Sequence, residues 1–148
     1  MKRREGAASL PGLCEPVAER PLVLVDGAHT PRSGRATREA VAACWPDVQP
    51  VVLLTAMLEE KSHAAVAQAL ADDVTHVVVT QVASPRCIAA DTLASEIEGA
   101  VGVPVEAVAD QAAALERART IAGPEGLVLV AGSVYLAGDV KLRLARTT

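Results

Sequence analysis

The stretch P-L-V-L-V-D-G-A-H-T-P, residues 21–31, decides the fold. Its run of four apolar residues, 22–25, predicts a strand that is buried on both faces of a parallel sheet. Asp26-Gly27 ends the strand, and Thr30-Pro31 predicts a helix start, because threonine caps helices and proline suits the first helical position. A buried strand that passes through a polar turn into a helix is the first half of a β-α-β unit.

The same alternation continues to the end of the chain. Predicted strands at 50–54, 76–82, 103–108 and 127–130 alternate with predicted helices at 31–44, 59–71, 88–99, 110–122 and from about 134 onward. A shorter segment, 14–20, turns back at Pro21, which predicts an antiparallel edge strand. We therefore predict an α/β fold: a Rossmann-like, mostly parallel sheet of about six strands, with one antiparallel edge strand and helices on both faces.

Length and composition define the class of protein. The chain has 148 residues, which suits one domain, and 51% of them are hydrophobic, which allows a sizeable core. We expect residues 1–12 to be a flexible lead-in and residues 13–148 to form one α/β domain. The net charge of −4 argues against binding nucleic acid or an anionic membrane through a basic surface. Three scattered cysteines and no signal-peptide core predict a cytoplasmic protein.

Ligands of such sheets bind at the carboxyl ends of the strands, near the point where the strand order reverses. The loops that follow the predicted strands are therefore the candidate sites: 26–30, 56–61, 81–87, 109–110 and 132–135. Because these loops share one edge of the sheet, we expect their polar side chains to converge on one rim.

Three residues of the first loop have more than one interpretation. Asp26 could accept hydrogen bonds from ribose hydroxyls, or it could cap its own turn. Gly27 allows a backbone conformation that other residues avoid, or a close approach by a ligand. His29 could donate to a phosphate or carboxylate and change its charge near neutral pH, or it could be ordinary polar surface.

Polar residues elsewhere leave similar alternatives open. Lys61 lies at a predicted helix start, where a cation opposes the helix dipole; this hints at function, and a solvated lysine is the alternative. Ser133 could present its hydroxyl and nearby amides to an anion, or it could be a simple helix cap. We interpret His63, on an expected exposed helix face, and His76 as structural, and no metal-ligand motif is present in the sequence.

Absent motifs exclude several functions of α/β proteins. The sequence contains no G-x-x-x-x-G-K-[ST] phosphate loop, no G-x-G-x-x-G after the first strand and no G-x-S-x-G elbow. These absences argue against a self-sufficient nucleotide triphosphatase, a dinucleotide-binding domain and a serine hydrolase.

Four stretches, in order, resemble the C-terminal domain of folylpolyglutamate synthases and dihydrofolate synthases, members of the Mur ligase superfamily. L-V-D-G-A-H-T at 24–30 resembles the D-G-A-H-N or D-G-A-H-T signature of these enzymes. L-P-G-L-C-E at 10–15 resembles their L-P-G-R-x-E segment, and T-A-M-L-E-E-K-S at 55–62 resembles their G-x-L-x-D-K-D turn. L-V-L-V-A-G-S-V-Y-L-A-G-D-V at 127–140 is similar to their closing segment.

The resemblance implies an ATP-dependent amide ligase of folate biosynthesis and one-carbon metabolism. ATP would phosphorylate a carboxylate of folate or dihydropteroate, L-glutamate would attack the acyl phosphate, and Mg²⁺ would neutralise the phosphates. By resemblance, Asp26, Gly27 and Lys61 bind the nucleotide, while His29 and Ser133 lie near the reacting groups. The phosphate loop and the magnesium ligands would belong to an N-terminal P-loop domain outside this chain, so we expect no ATP turnover by the chain alone.

The sequence also departs from the family pattern. Leu13 replaces the arginine of L-P-G-R that helps to hold ATP, and Glu60 and Ser62 replace the aspartates that flank the family lysine. Leucine offers no guanidinium fork to a phosphate. The alternative is therefore a free-standing, catalytically degenerate binding or regulatory domain. A third possibility is an unrelated α/β domain, in which case Asp26 and Ser133 would lie on opposite rims of the sheet.

Overall fold

The fold was analysed in a computed structural model, which describes residues 14–59 and 62–146. The predicted lead-in, residues 1–12, together with Leu13 and Lys61, lies outside the described residues. Six strands and five helices follow one another within the described ranges: β1 (Glu15–Glu19), β2 (Leu22–Val25), α1 (Pro31–Cys44), β3 (Val51–Thr55), α2 (His63–Leu70), β4 (His76–Val79), α3 (Ala90–Val101), β5 (Val105–Ala107), α4 (Gln111–Ala122), β6 (Leu127–Val130) and α5 (Val134–Ala145).

The strands form one sheet in the order β1-β2-β6-β3-β4-β5. Strands β2, β6, β3, β4 and β5 are parallel, and β1 pairs with β2 in the antiparallel direction with an irregularity between Pro16 and Ala18. The predicted fold class, including the antiparallel edge strand, is confirmed.

Helices cover both faces of the sheet because alternate strand residues point to opposite sides. On one face, Leu24 and Leu53 pack in a core that includes residues of α1, α2 and α3. On the other face, Val25 and Leu54 pack in a second core with residues of α4 and α5. The strands β2, β3 and β6 are therefore buried throughout, as the sequence predicted for a doubly covered sheet.

Two helices begin later than the sequence predicted, and both differences have one cause. Leu58 forms an antiparallel bridge with Cys87, and the amide of Ile88 donates to the carbonyl of Met57. The amide of Glu59 also donates to the carbonyl oxygen of Arg86. These backbone groups form hydrogen bonds between the two loops instead of within helical turns. As a result, α2 starts at residue 63 instead of 59, and α3 starts at residue 90 instead of 88.

In the described parts of the chain, none of the helices combines the length and the apolar character that crossing a membrane requires.

Two glycines provide a test of the packing: Gly126 directly precedes β6, and Gly138 lies within α5. A Cβ on Gly126 would press into the backbone carbonyl of Ala122 and lie 2.9 Å from the carbonyl oxygen of Pro50, whereas a Cβ on Gly138 in α5 would meet nothing within 4 Å. We predict that Gly126→Ala lowers the free energy of unfolding by about 2 kcal/mol through overpacking. Gly138→Ala should raise it by about 0.5–1 kcal/mol, because alanine favours an exposed helix interior.

Urea denaturation of the two variants and the parent chain checks this prediction. Equal midpoints for Gly126→Ala and the parent would show that the backbone at Gly126 is not held against Ala122 and Pro50.

Candidate functional site

The candidate site lies where the chain changes its direction across the sheet. Strand β6 lies between β2 and β3, and all three end at the same edge. Helices α1 and α2 leave β2 and β3 toward one face, whereas α5 leaves β6 toward the other. This divergence opens a crevice at the carboxyl ends of the strands, which is the position where open α/β sheets bind ligands.

Short backbone contacts hold the loops of β2 and β6 together at this crevice. The amide of Gly132 donates to the carbonyl oxygen of Ala28 at 2.7 Å, and the amide of Asp26 donates to Val130 at 2.9 Å. Asp26 and Ser133 therefore lie at the same edge of the sheet, not on opposite rims. Gly132 has a φ of +112°, and the Thr55 hydroxyl occupies the place where a side chain would go, so only glycine fits.

The carboxylate of Asp26 is buried and bonded within the chain, with only 2% of the residue exposed. Oδ1 accepts from the amide of Ala28 at 2.8 Å and from the Thr37 hydroxyl at 3.0 Å. Oδ2 accepts from the amide of Cys14 at 2.8 Å and from its thiol at 3.4 Å. Of the two interpretations of Asp26, this geometry favours the turn cap; direct contact with a nucleotide stays a prediction.

The surroundings of the Cys14 thiol raise its pKa and favour its role as a donor to this carboxylate. Burial, and next the charge of Asp26, raise the pKa of Cys14 to about 12. The thiol therefore keeps its proton at neutral pH and acts as a hydrogen-bond donor, as expected for a buried structural cysteine.

Beside this turn is a cavity of about 230 Å³ at the strand ends, which we call the strand-end cavity. It is lined by four of the predicted loops and the start of α2, and among the described lining residues there is no carboxylate. The lining residues are His29, Met57, Leu58, His63, Val66, Arg86, Gly132, Ser133, Val134 and Tyr135.

His29 lines this cavity, and one hydrogen bond assigns a role to each of its ring nitrogens. Its Nδ1 lies 3.1 Å from the carbonyl oxygen of Gly27, so Nδ1 must carry the proton of that hydrogen bond. Nε2 has no hydrogen-bond partner among the described residues. In the neutral ring Nε2 can accept a proton, and in the charged ring it can donate to an anion.

Ser133 caps α5 and is almost fully buried, with 3% of the residue exposed. Its Oγ accepts from the amides of Tyr135 at 3.1 Å and Leu136 at 3.4 Å. The cap interpretation is therefore correct, and the hydroxyl proton remains able to donate to a group in the cavity. A catalytic role for Ser133, like that for His29, stays a prediction.

Arg86 brings a permanent positive charge to the cavity, and sequence reasoning did not single it out. Its Nη2 donates to the carbonyl oxygen of Glu59 at 3.2 Å, while its backbone carbonyl accepts from the amide of Glu59. The signal available in the sequence was its place in the candidate loop 81–87. Its approach to the cavity depends on the long-range pairing of this loop with residues 57–59, which no local pattern encodes.

His63 lies at the cavity instead of on the exposed helix face that the sequence predicted. Its side chain is 13% exposed, and its ring nitrogens lie 2.9 Å from Glu96 Oε2 and 2.9 Å from the carbonyl oxygen of Leu58. Both partners are hydrogen-bond acceptors. These contacts tie the loop after β3 to α3, which is a structural role.

For Gly27 and Lys61, no contact in the described part of the chain supports the predicted nucleotide binding. Gly27 is half-buried and its φ is not positive; the left-handed backbone freedom is used at Gly132 instead. Lys61 lies outside the described residues. Within the described residues, no group of three His, Cys, Asp or Glu side chains is placed to hold a metal ion.

Curated relatives match nearly the whole length of this chain. A protein of Halobacterium salinarum described as a "probable bifunctional folylpolyglutamate synthase/dihydropteroate synthase" is 32% identical over 95% of this chain. A protein of Haloferax volcanii with the same description is 33% identical over 95% of the chain. The chain spans only 17% and 16% of the lengths of these relatives.

Solved structures give the same assignment of the fold. Folylpolyglutamate synthase of Mycobacterium tuberculosis, complexed with ADP and AMPPCP, superposes with a TM-score of 0.85 at 26% identity. The bifunctional folylpolyglutamate synthase/dihydrofolate synthase of Yersinia pestis, complexed with AMPPNP and a manganese ion, has a TM-score of 0.79 at 28% identity. The alignments cover 95% and 94% of this chain, and 33% and 32% of those chains.

Residues 14–134 match the family described as "Mur ligase, glutamate ligase domain", which is most of the chain. The resemblance to the C-terminal domain of folylpolyglutamate synthases is thus confirmed, and the chain belongs to the Mur ligase, glutamate ligase domain family.

Proposed function

We propose that this chain is the C-terminal domain of an ATP-dependent ligase that joins L-glutamate to a folate or dihydropteroate through an acyl phosphate. The observation that carries the proposal is the strand-end cavity, where Arg86, His29 and the Ser133 hydroxyl surround a space whose described lining has no carboxylate. Glutamate carries two carboxylates, so a site that offers donors without acidic side chains suits it.

Within the proposal, Arg86 and Ser133 bind carboxylate oxygens of glutamate. A guanidinium can hold a carboxylate with two parallel hydrogen bonds, and Arg86 uses only Nη2 for the carbonyl of Glu59. The Ser133 hydroxyl, fixed by two amide donors, has its proton left for the ligand. Both groups fix the position of the amine relative to the second substrate, which lowers the entropic part of the barrier.

In this proposal His29 takes the proton of the glutamate amine. Amide formation requires the amine as a free base: its nitrogen bonds to the acyl carbon, phosphate leaves with the electron pair of the broken bond, and the amine proton goes to a base. The Nδ1–H bond to the carbonyl of Gly27 leaves Nε2 of the neutral ring as that base.

ATP and Mg²⁺ would be held mainly by the N-terminal P-loop domain, since this sequence has no phosphate loop. ATP would supply the phosphoryl group that activates the acid, and the metal ion would neutralise the phosphate charge. In this proposal Asp26, Gly27 and Lys61 contribute to nucleotide binding, with Asp26 acting through the turn that it holds. Closure of the two domains would exclude water from the acyl phosphate.

The second candidate function is a free-standing binding or regulatory domain of the same family. The observation that favours it is Leu13, which stands where the resembling enzymes have an arginine that helps to hold ATP. Such a domain would keep the fold and lose nucleotide affinity.

The first prediction of the proposal concerns glutamate recognition. In ¹⁵N NMR titrations of the chain, L-glutamate should shift the amides of residues 86 and 132–135 in a saturable manner. Arg86→Met should weaken this binding about tenfold, because one charge-assisted carboxylate contact contributes about 1.4 kcal/mol or more. Arg117→Met, which removes an exposed arginine paired with Glu106, is the matched control and should bind normally. Unchanged affinity in Arg86→Met would contradict the assignment.

A second prediction separates the role of Asp26 in folding from a role in binding. Asp26→Asn replaces one acceptor oxygen by a donor among Cys14, Ala28 and Thr37, and should lower the free energy of unfolding by about 2 kcal/mol. The control is Asp47→Asn, which removes the same charge from an exposed position and should have little effect. An unchanged urea midpoint for Asp26→Asn would mean that the carboxylate is free to serve a ligand.

A third prediction distinguishes the two candidate functions. With ATP, Mg²⁺, L-glutamate and either dihydropteroate or a folate, the chain alone should release no phosphate, and the same mixture with a P-loop domain of this family should. Calorimetry then measures ADP binding to the chain itself. ADP or L-glutamate binding supports the ligase domain; a folded chain that binds neither, and that restores no activity to a P-loop domain, supports the regulatory alternative.

A further inference from the structure

A second cavity lies in the groove between α1 and α2. We call it the α1–α2 groove; its volume is about 430 Å³, and it shares no lining residue with the strand-end cavity. Its lining residues are Pro31, Arg35, Arg38, Glu39, Ala42, Ala65, Gln68, Ala69, Asp72 and Asp73. Neither the proposed ligase chemistry nor any predicted site residue uses it.

Charges of both signs line the α1–α2 groove without pairing. Its described lining has two guanidiniums, Arg35 and Arg38, and three carboxylates, Glu39, Asp72 and Asp73. The ion pairs that the described residues form lie elsewhere, as at Arg117–Glu106 and Lys141–Glu15. Five charged groups therefore surround one space, and none of them forms an ion pair among the described residues.

Arg38 is the most buried of the charged residues that line the groove. Only 7% of the residue is exposed, and its buried Nε and Nη1 have no hydrogen-bond partner. Burial lowers the pKa of Arg38, while Asp73 and Asp72 favour its charged form. Buried donors without acceptors are unfavourable, so an acceptor supplied from the groove would be bound with a gain in stability.

The mixture of charges restricts what can occupy the groove. A simple anion would be attracted by Arg38 and repelled by the three carboxylates, and a simple cation would meet the reverse situation. A molecule with a carboxylate and an ammonium group a few atoms apart matches both signs. The small side chains of Ala42, Ala65 and Ala69 leave room on the groove wall for an uncharged substituent.

We propose that the α1–α2 groove binds a small zwitterion of the α-amino acid class, with its carboxylate on the Arg38 guanidinium and its ammonium group on the carboxylates of Asp72 and Asp73. The site shares no lining residue with the strand-end cavity, and its occupation would join the second turn of α1 to the end of α2. The ligand carboxylate gives the Arg38 guanidinium an acceptor in the groove, and the ammonium group offsets part of the carboxylate charge.

The test is a ¹⁵N NMR titration of the whole chain with glycine, L-alanine and L-valine at millimolar concentrations. We expect saturable shifts of the amides of Arg35, Arg38, Ala69 and Asp73 with at least one of these amino acids. Acetate and methylammonium, which each carry half of the charge pattern, should give no saturable shifts at the same concentrations. Glycine, L-alanine and L-valine lack the side-chain carboxylate that the strand-end cavity is proposed to recognise. This test can therefore fail without the test of the ligase function failing, and the reverse is also true.

Two variants make the assignment specific. Arg38→Met keeps an extended side chain without the charge, and the double change Asp72→Asn with Asp73→Asn alters exposed residues only; each should weaken binding at least tenfold. The exposed Arg32→Met, on the same helix but outside the groove, is the matched control and should bind normally. The proposal is wrong if no amino acid of the panel gives saturable shifts in the groove, if the shifts appear only at residues 132–135, or if Arg38→Met binds normally.

Discussion

The buried carboxylate of Asp26 is the interaction on which the rest of the site depends. It accepts hydrogen bonds from Cys14 before the edge strand, from Ala28 in the turn and from Thr37 in α1. With its two oxygens occupied, the turn after β2 has one arrangement, and the Ala28 carbonyl points to the amide of Gly132. The positions of His29 and of the α5 cap follow from this, so the contacts of one buried carboxylate determine the geometry of the site.

The two cavities that we propose as binding sites differ in their charge. The strand-end cavity combines Arg86, two histidines and a serine hydroxyl at the topological switch point, a pattern that favours a dicarboxylate. The α1–α2 groove combines unpaired charges of both signs around a buried arginine, which favours a zwitterion. The two sites are attached to the same helix, α1, since His29 immediately precedes its cap and Arg38 lies in its second turn.

Much of the fold could be predicted from the sequence, because its signals are local. Uninterrupted apolar runs such as 22–25 and 127–130 require strands covered on both faces, and Thr30-Pro31 and Ser133 mark helix starts through capping. The parts that were missed depend on distant pairing. The bridge between Leu58 and Cys87 delays α2 and α3 and carries Arg86 to the cavity, and the burial of Asp26 needs a donor twelve residues earlier.

The most direct test of this account is a crystal structure of the chain joined to a P-loop domain of this family, with ADP and L-glutamate bound. We predict a glutamate carboxylate within hydrogen-bond distance of the Arg86 guanidinium, the glutamate nitrogen on the side of His29 Nε2, and Asp26 still bonded to Cys14 and Thr37. Glutamate bound away from the strand-end cavity, or an Asp26 carboxylate turned out of its chain contacts toward a ligand, would contradict the account.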